Sequence, residues 1–229
     1  MEYATRDTTS DRWATFDCYG TLVDWLGGVR DTLARLWPDA SGGDMLLEAY
    51  MRIEPRVQRG RGTPYRQVMA ETMAGVADEL GLTVPEGEAD ALAMSLPSWR
   101  VFGEVPSALT TLREAGWKLA ILSNTDLDLL DASVAAIGVE IDEQVVASDI
   151  GSYKPSFGHW EAFFRRTEAE RVRHVHVAAS LFHDIEPCAK LGRPAVWIDR
   201  LGETSMVPRS ATLPDLSALP ETLERLVPA

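Results

Sequence analysis

From Val105 onward the sequence alternates between two textures, and that alternation constrains the fold more than any other feature. Apolar runs of strand length stand at Lys118-Leu119-Ala120-Ile121-Leu122, Val175-His176-Val177-Ala178-Ala179 and Ala195-Val196-Trp197-Ile198, with a weaker one at Gln144 to Ala147. Helical patterns separate them: Pro106 to Ala115, Asp126 to Ile137, a segment through Trp160 and Phe164, and Asp184 to Leu191. Runs that are apolar on both faces belong to buried parallel strands. Repeated strand-helix-strand units then close into an α/β fold, a mostly parallel sheet with helices on both faces. The C-terminal stretch with Pro208, Pro214, Pro220 and Pro228 reads as a loop and a short closing helix.

The first strand lies far upstream. Trp13 to Phe16 is a short apolar run ending in Asp17, after which Gly20 and Thr21 open a loop. Between it and the alternating half, residues 26 to about 98 read as an α-helical insertion. Val29, Leu33, Leu36 and Trp37 recur at helical spacing before Pro38, and Met45, Leu46, Tyr50 and Ile53 do so before Pro55. A third helix runs from Pro64-Tyr65 to Gly81, and a shorter fourth spans Glu88 to Leu96.

Composition narrows the partners. With 35 acidic and 22 basic side chains in 229 residues, the formal charge is −13, which disfavours nucleic acid or an anionic membrane. An anionic small molecule then needs a local basic pocket. Met1 to Arg12 lacks the apolar core of a signal peptide and no later run approaches a membrane span, so a cytoplasmic location is expected. Cys18 and Cys188 are too few for a disulfide framework and lack metal-site spacing.

In open α/β sheets, ligands sit outside the carboxyl ends of the strands. Four such ends present polar groups here: Asp17 with Thr21, Ser123 with Asn124, Lys154, and Asp184. Taken singly, each has a structural reading: a turn aspartate, helix caps, and a loop lysine before Pro155. Taken together they make a chemical set. A carboxylate nucleophile at Asp17 must be ionised and held against rotation, which the hydroxyls of Thr21 and Ser123 supply. Lys154 lowers its pKa. Asp184 orients the lysine and activates water for breakdown of an ester.

This ordered set resembles the haloacid dehalogenase superfamily of aspartate-nucleophile hydrolases. The four motifs are Phe16-Asp17-Cys18-Tyr19-Gly20-Thr21-Leu22, Leu122-Ser123-Asn124, Tyr153-Lys154-Pro155, and Ala179-Ser180-Leu181-Phe182-His183-Asp184. The resemblance implies a Rossmann-like catalytic core over residues 1–25 and 99–229, with residues 26–98 as a helical cap domain. Phosphatases of the superfamily carry a second aspartate two residues after the nucleophile, where this chain has Tyr19, and an acid pair in the fourth motif, whose earlier member falls on Ala178-Ala179. Both departures resemble the L-2-haloacid dehalogenase branch, which works without a metal.

That branch implies displacement of halide from a short 2-haloalkanoic acid by Asp17, giving a 2-hydroxy acid and requiring no cofactor. The substrate carboxylate would meet the backbone amides near Cys18, Tyr19 and Asn124. The halide-accepting arginine of the branch falls near Ala49; Arg52, Arg56 or Arg59 either reaches the site in its place, Arg52 being the candidate, or stands exposed on the cap, the commoner state of such an arginine. A serine and an asparagine of the fourth motif fall near Ala179 and Leu181, a tyrosine falls on Trp160, and an aromatic falls on His183, leaving Trp160 and His183 as candidate substrate contacts. The alternatives are a magnesium-dependent small-molecule phosphatase, or a diverged relative that binds or hydrolyses another metabolite. A homodimer is expected as a possible assembly, with Trp37 or Trp99 either at its interface or, equally, buried under the cap.

Overall fold

A computed structural model of the protein describes residues 11–40, 44–58 and 62–229. Its centre is strand β1, Arg12–Phe16, every residue of which is buried. After it come four helices, α1 (Trp25–Leu36), α2 (Met45–Gln58), α3 (Tyr65–Leu80) and α4 (Ala91–Ser95), before the alternating half begins. That half runs α5 (Val105–Glu114), β2 (Trp117–Ser123), α6 (Leu127–Ile137), β3 (Glu143–Val146), α7 (Ala147–Ile150), α8 (Gly158–Thr167) and β4 (His174–Ala178). It ends with α9 (Glu186–Lys190), β5 (Ala195–Ile198), β6 (Ala211–Leu213) and α10 (Leu219–Leu226).

The six strands lie in the order β3-β2-β1-β4-β5-β6. All five pairings are parallel, and β1 is flanked by Ala14 opposite Leu119 on one side and Val175 on the other. Alternate side chains feed two cores. Ala14, Phe16, Leu119 and Ile121 pack with Leu109 and Leu112 of α5 and Leu219 and Leu223 of α10. Trp13, Ala120 and Leu122 pack on the other face with Trp160 and Phe163 of α8 and Cys188 of α9. Burial on both faces is the reason these strands carry continuous apolar runs instead of alternating ones. Among the described residues no helix is long and apolar enough to cross a membrane.

Several expectations shift. Strand β6 forms in the stretch read as a loop, adding to the sheet edge through Val196 to Leu213. The helix expected from Asp184 is preceded by a wide turn over Leu181–Ile185, capped by Ser180. Most consequentially, Pro55 does not end α2; the helix runs through it to Gln58. An interior proline costs about 3 kcal/mol or more in a lone helix, but α2 is packed along α3, and Leu46, Leu47, Ala49 and Tyr50 sink into the core. Trp37 and Trp99 are buried rather than available to an interface: Trp37 Nε1 donates to the Thr83 carbonyl, and Trp99 covers Gly28 so closely that a Cβ there would meet its ring at 2.3 Å.

The helical insertion is tied to the sheet by polar clamps. Asp126, just beyond β2, accepts the first amides of α3, from Tyr65 at 2.8 Å and Arg66 at 2.9 Å, and so supplies that helix with a distant N-terminal cap. Tyr153 donates its hydroxyl to the Thr63 carbonyl at 2.6 Å.

Candidate active site

The carboxyl ends of β1, β2 and β4 and the loop after β3 converge as parallel strands require. Lys154 is buried, and its ammonium has three acceptors: Asp17 Oδ1 at 2.9 Å, Asp184 Oδ1 at 2.7 Å and the Leu122 carbonyl at 2.8 Å. Burial alone would depress this lysine, but Asp17 and Asp184 more than reverse that and hold it above its usual range. For Asp184 burial pushes upward, and Lys154 with His176 overcomes it, keeping the carboxyl well below the usual carboxylate range. Lys154 and Asp184 thus form a charged pair, the condition under which buried charges are tolerated.

The remaining groups set orientation. Thr21 accepts the Ala179 amide at 2.9 Å and donates to Asp17 Oδ2 at 2.8 Å, so both Asp17 carboxylate oxygens are held. Gly20, with φ at +92°, makes the sharp turn that brings Thr21 back to Asp17. Asn124 clamps the backbone of Lys154 from both sides, accepting its amide at 2.7 Å and donating to its carbonyl at 3.0 Å. Ser123 Oγ and Asp184 Oδ2 are buried without a hydrogen-bond partner among the described residues.

Asp17, Tyr19, Ser123, Asn124, Lys154, Ser180, His183 and Asp184 form the sheet side of a cavity of about 280 Å³. The helical side comprises Trp25, Met51, Glu54, Pro55, Gln58 and Tyr65. Tyr19 presents its ring, but its hydroxyl is engaged by Ser133 Oγ at 3.0 Å and burial raises its pKa, so it is a neutral phenol facing away from the cavity. His183 lines the cavity with Nδ1 at 3.2 Å from Ser180 Oγ. Among the described residues no group of three or more His, Cys, Asp and Glu side chains is arranged to hold a metal ion.

Two candidate contacts lie elsewhere, and a third residue offers only its backbone. Arg52 is on the outer surface of α2, paired with Glu79, because the helical phase that brings Glu54 inward turns it outward. Arg56 is likewise exposed, and Arg59 lies outside the described residues. Trp160 is buried behind the sheet, edge-on to His176, and does not reach the cavity. The Cys18 side chain is fully buried; burial raises its thiol, and its carbonyl accepts the amides of Thr21, Leu22 and Val23.

Two features escaped sequence reasoning. The first is Glu54, whose Oε1 accepts Gln58 Nε2 at 2.8 Å on the helical wall; an i, i+4 polar pair on an apolar helix was the available signal, hidden by the expectation that Pro55 ends the helix. Burial raises its carboxyl to about 7, with the Tyr65 hydroxyl offsetting part of the effect. The second is a buried polar chain. His176 Nε2 meets Asp184 Oδ1 at 3.0 Å, and Thr15 Oγ1 bridges His176 Nδ1 and His174 Nε2, each at 2.8 Å. His174 and His176 alternate along β4, so they share one face of the sheet.

Known proteins extend this geometry. The chain is 25% identical over 198 residues to (S)-2-haloacid dehalogenase 2 of Pseudomonas sp. (strain CBS-3), covering 84% of this chain and 86% of that one. It is 27% identical over 192 residues to haloacetate dehalogenase H-2 of Moraxella sp. (strain B), covering 82% and 85%. In fold it is similar to the crystal structure of the L-2-haloacid dehalogenase RSc1362, with a TM-score of 0.84, 23% identity, and 94% and 100% of the two chains covered. The sequence model of the haloacid dehalogenase-like hydrolases matches residues 12–192. With the motif residues gathered at one sheet edge and the family matched over most of its length, the chain belongs to the haloacid dehalogenase-like hydrolases.

Proposed function

We propose that this hydrolase is of the 2-haloacid dehalogenase type, releasing halide from a short 2-haloalkanoic acid through an ester on Asp17. The observation that carries the reading is the Lys154 ammonium bonded to one oxygen each of Asp17 and Asp184, beside a Tyr19 that offers no acid. An aspartate so held is an oriented nucleophile. A halide leaves without a proton, so the absence of an acid at Tyr19 costs the reaction nothing, whereas an alkoxide leaving a phosphate requires one.

The helical insertion acts as the cap of the site. Substrate carboxylate is received by Ser123 Oγ and the backbone amides of Cys18, Tyr19 and Asn124, with Lys154 supplying positive potential. An Asp17 oxygen bonds to the halogen-bearing carbon as the carbon–halogen electron pair departs on the halide, inverting the centre. Water then attacks the carbonyl of the aspartyl ester, Asp184 Oδ2 takes its proton, and the alkoxide leaves Asp17, collecting a proton to become the 2-hydroxy acid. No step needs a metal. Magnesium seeks a near-octahedral set of oxygens, and the lysine ammonium already stands between the two carboxylates that would supply them.

The test is halide release from haloacetates and 2-halopropionates in the presence of a chelator. Mass spectrometry should trap the ester on Asp17, and Asp17→Asn should lose the adduct together with at least about 10⁴-fold in rate. No release from any short haloacid, with magnesium-dependent cleavage of p-nitrophenyl phosphate instead, would replace this reading with a phosphatase.

A further inference from the structure

We propose that His176 is a positioning residue: fixed by Thr15 and His174 in the tautomer with its proton on Nε2, it donates to Asp184 Oδ1 and holds that carboxylate for ester breakdown. This role rests on the part proposed above for Asp184 in hydrolysis, while the tautomer is testable without turnover.

Strand register builds the chain of contacts. Thr15 of β1 stands opposite His176 of β4, so their side chains share a face of the sheet, and His174, two residues earlier, shares it too. All three are buried. The Trp160 ring lies edge-on to His176 with centroids 5.3 Å apart, and Phe163 and Phe164 lie 5.3 and 5.0 Å from His174. Polar atoms set in such an apolar wall depend on one another for hydrogen bonds. Thr15 Oγ1 lies 2.8 Å from both His176 Nδ1 and His174 Nε2, and the chain ends on Asp184 Oδ1, 3.0 Å from His176 Nε2.

The end group orders the protons. Asp184 Oδ1 already accepts the Lys154 ammonium at 2.7 Å, so its contact with His176 is an N–H donation, which puts a proton on Nε2. Thr15 has one hydroxyl proton for two ring nitrogens, so one of these nitrogens donates to it. His174 is that donor. Its Nδ1 has no partner among the described residues, so a proton on Nε2 is bonded where one on Nδ1 is not. Burial, reinforced by His176, holds His174 well below its usual range, leaving it a single ring proton to place. Thr15 then donates to His176 Nδ1, and the bond at that nitrogen fixes the proton at the other.

The two carboxylates are consequently held in different ways. Asp17 takes one donor on each oxygen, Lys154 on Oδ1 and Thr21 on Oδ2. Asp184 takes Lys154 and His176 together on Oδ1. One bond to Lys154 would let the carboxyl turn, whereas a second, from a ring packed on a central strand, fixes its plane and keeps Oδ1 on the lysine. Oδ2 is then the oxygen that meets the hydrolytic water. The water oxygen bonds to the ester carbonyl carbon, its proton passes to Asp184 Oδ2, and the bond from Asp17 to the alkoxide breaks; His176 keeps its own proton throughout.

The experiment has two arms. Long-range nitrogen–proton NMR of the wild-type chain with nitrogen-15 histidine reads the ring protons of His176, assigned through its contact with the Trp160 ring. A proton on Nε2 and none on Nδ1 is expected at neutral pH, and any other pattern overturns the proposal. Rapid quench with a short 2-haloacid separates ester formation on Asp17 from ester hydrolysis. His176→Phe should slow hydrolysis about 10- to 100-fold, accumulate the ester and leave its formation unchanged. His176→Gln, whose amide can take the place of Nε2–H, should restore most of that loss, and Thr15→Val, which keeps the shape but frees the ring, should fall between. Equal slowing of both steps, unaltered hydrolysis in His176→Phe, or a glutamine variant as slow as the phenylalanine one overturns the proposal. If the phenylalanine variant fails to fold, the other two variants and the wild-type ring pattern decide. If wild type forms no ester with any short haloacid, the dehalogenase reading falls and the ring pattern alone decides whether His176 holds Asp184.

Discussion

The two walls of the cavity bury carboxyl groups by opposite means. On the sheet side Asp17 and Asp184 are both bonded to Lys154, with 1% of its side chain exposed, which holds the Asp184 carboxyl well below the usual carboxylate range. On the helical side Glu54 has no cation bonded to it among the described residues, and burial raises its carboxyl to about 7 instead. The difference follows from topology. Parallel strand ends bring distant residues to one point, so a lysine from after β3 can serve carboxylates from β1 and from after β4. A single helix offers neighbours only three or four residues away, here Tyr50 and Gln58, and neither is charged.

Removing the cation is the strongest way to break the comparison. Lys154→Met leaves two buried carboxylates unpaired and should cost about 3–5 kcal/mol in urea unfolding at pH 7, with loss of all turnover. A smaller loss would mean that the sheet side, too, sheds charge by protonation.

The next effect concerns Glu54. Its folded pKa is raised from 4.5 to about 7, so the folded state holds a proton that the unfolded state has released. That contribution is fully present below pH 4.5 and is lost as the pH rises through 7. Two to three pKa units correspond to about 3 kcal/mol. Glu54→Gln should therefore match wild type near pH 4.5 and be more stable by up to about that amount at pH 8, measured by chemical denaturation at both pH values.

A third variant asks whether pairing by Lys154 suffices on the sheet side. His176→Phe removes the partner of Asp184 Oδ1 and leaves the Thr15 hydroxyl with His174 alone. The expected cost is about 1–3 kcal/mol in unfolding free energy, with slowed ester hydrolysis and an unchanged rate of ester formation in rapid-quench experiments. The smallest effect belongs outside both walls. Arg52→Ala breaks an exposed pair with Glu79 and should change stability by less than about 1 kcal/mol and leave halide release unaltered. A large loss of activity would return Arg52 to the site.

The sheet-side wall was legible in the chain because it depends on features local to each strand end. An apolar run followed by Asp17, Ser123 or Asp184 identifies a carboxyl edge, and parallel connectivity does the gathering. The helical wall was not legible, because it depends on helix phase and on whether a proline stops a helix. Pro55 reads locally as a terminator, yet the packing of α2 against α3 carries the helix through it. That continuation brings Gln58 onto the wall beside Glu54, while the helical phase turns Arg52 outward. Trp160 and the histidines of β4 were hidden for a similar reason, since the face a buried strand or helix residue occupies is set by what packs against it.

By itself, then, the sequence determined the α/β alternation, the stretch around Asp17 and its companions at the strand ends, because backbone propensity and strand order are properties of contiguous residues. Tertiary structure alone decided that α2 turns Glu54 toward the cavity and Arg52 away from it, and that Asp184 is backed by His176 and Thr15. Those outcomes arise from packing between segments distant in the chain, where burial free energy outweighs the local preference of a proline or the expected register of a cap helix.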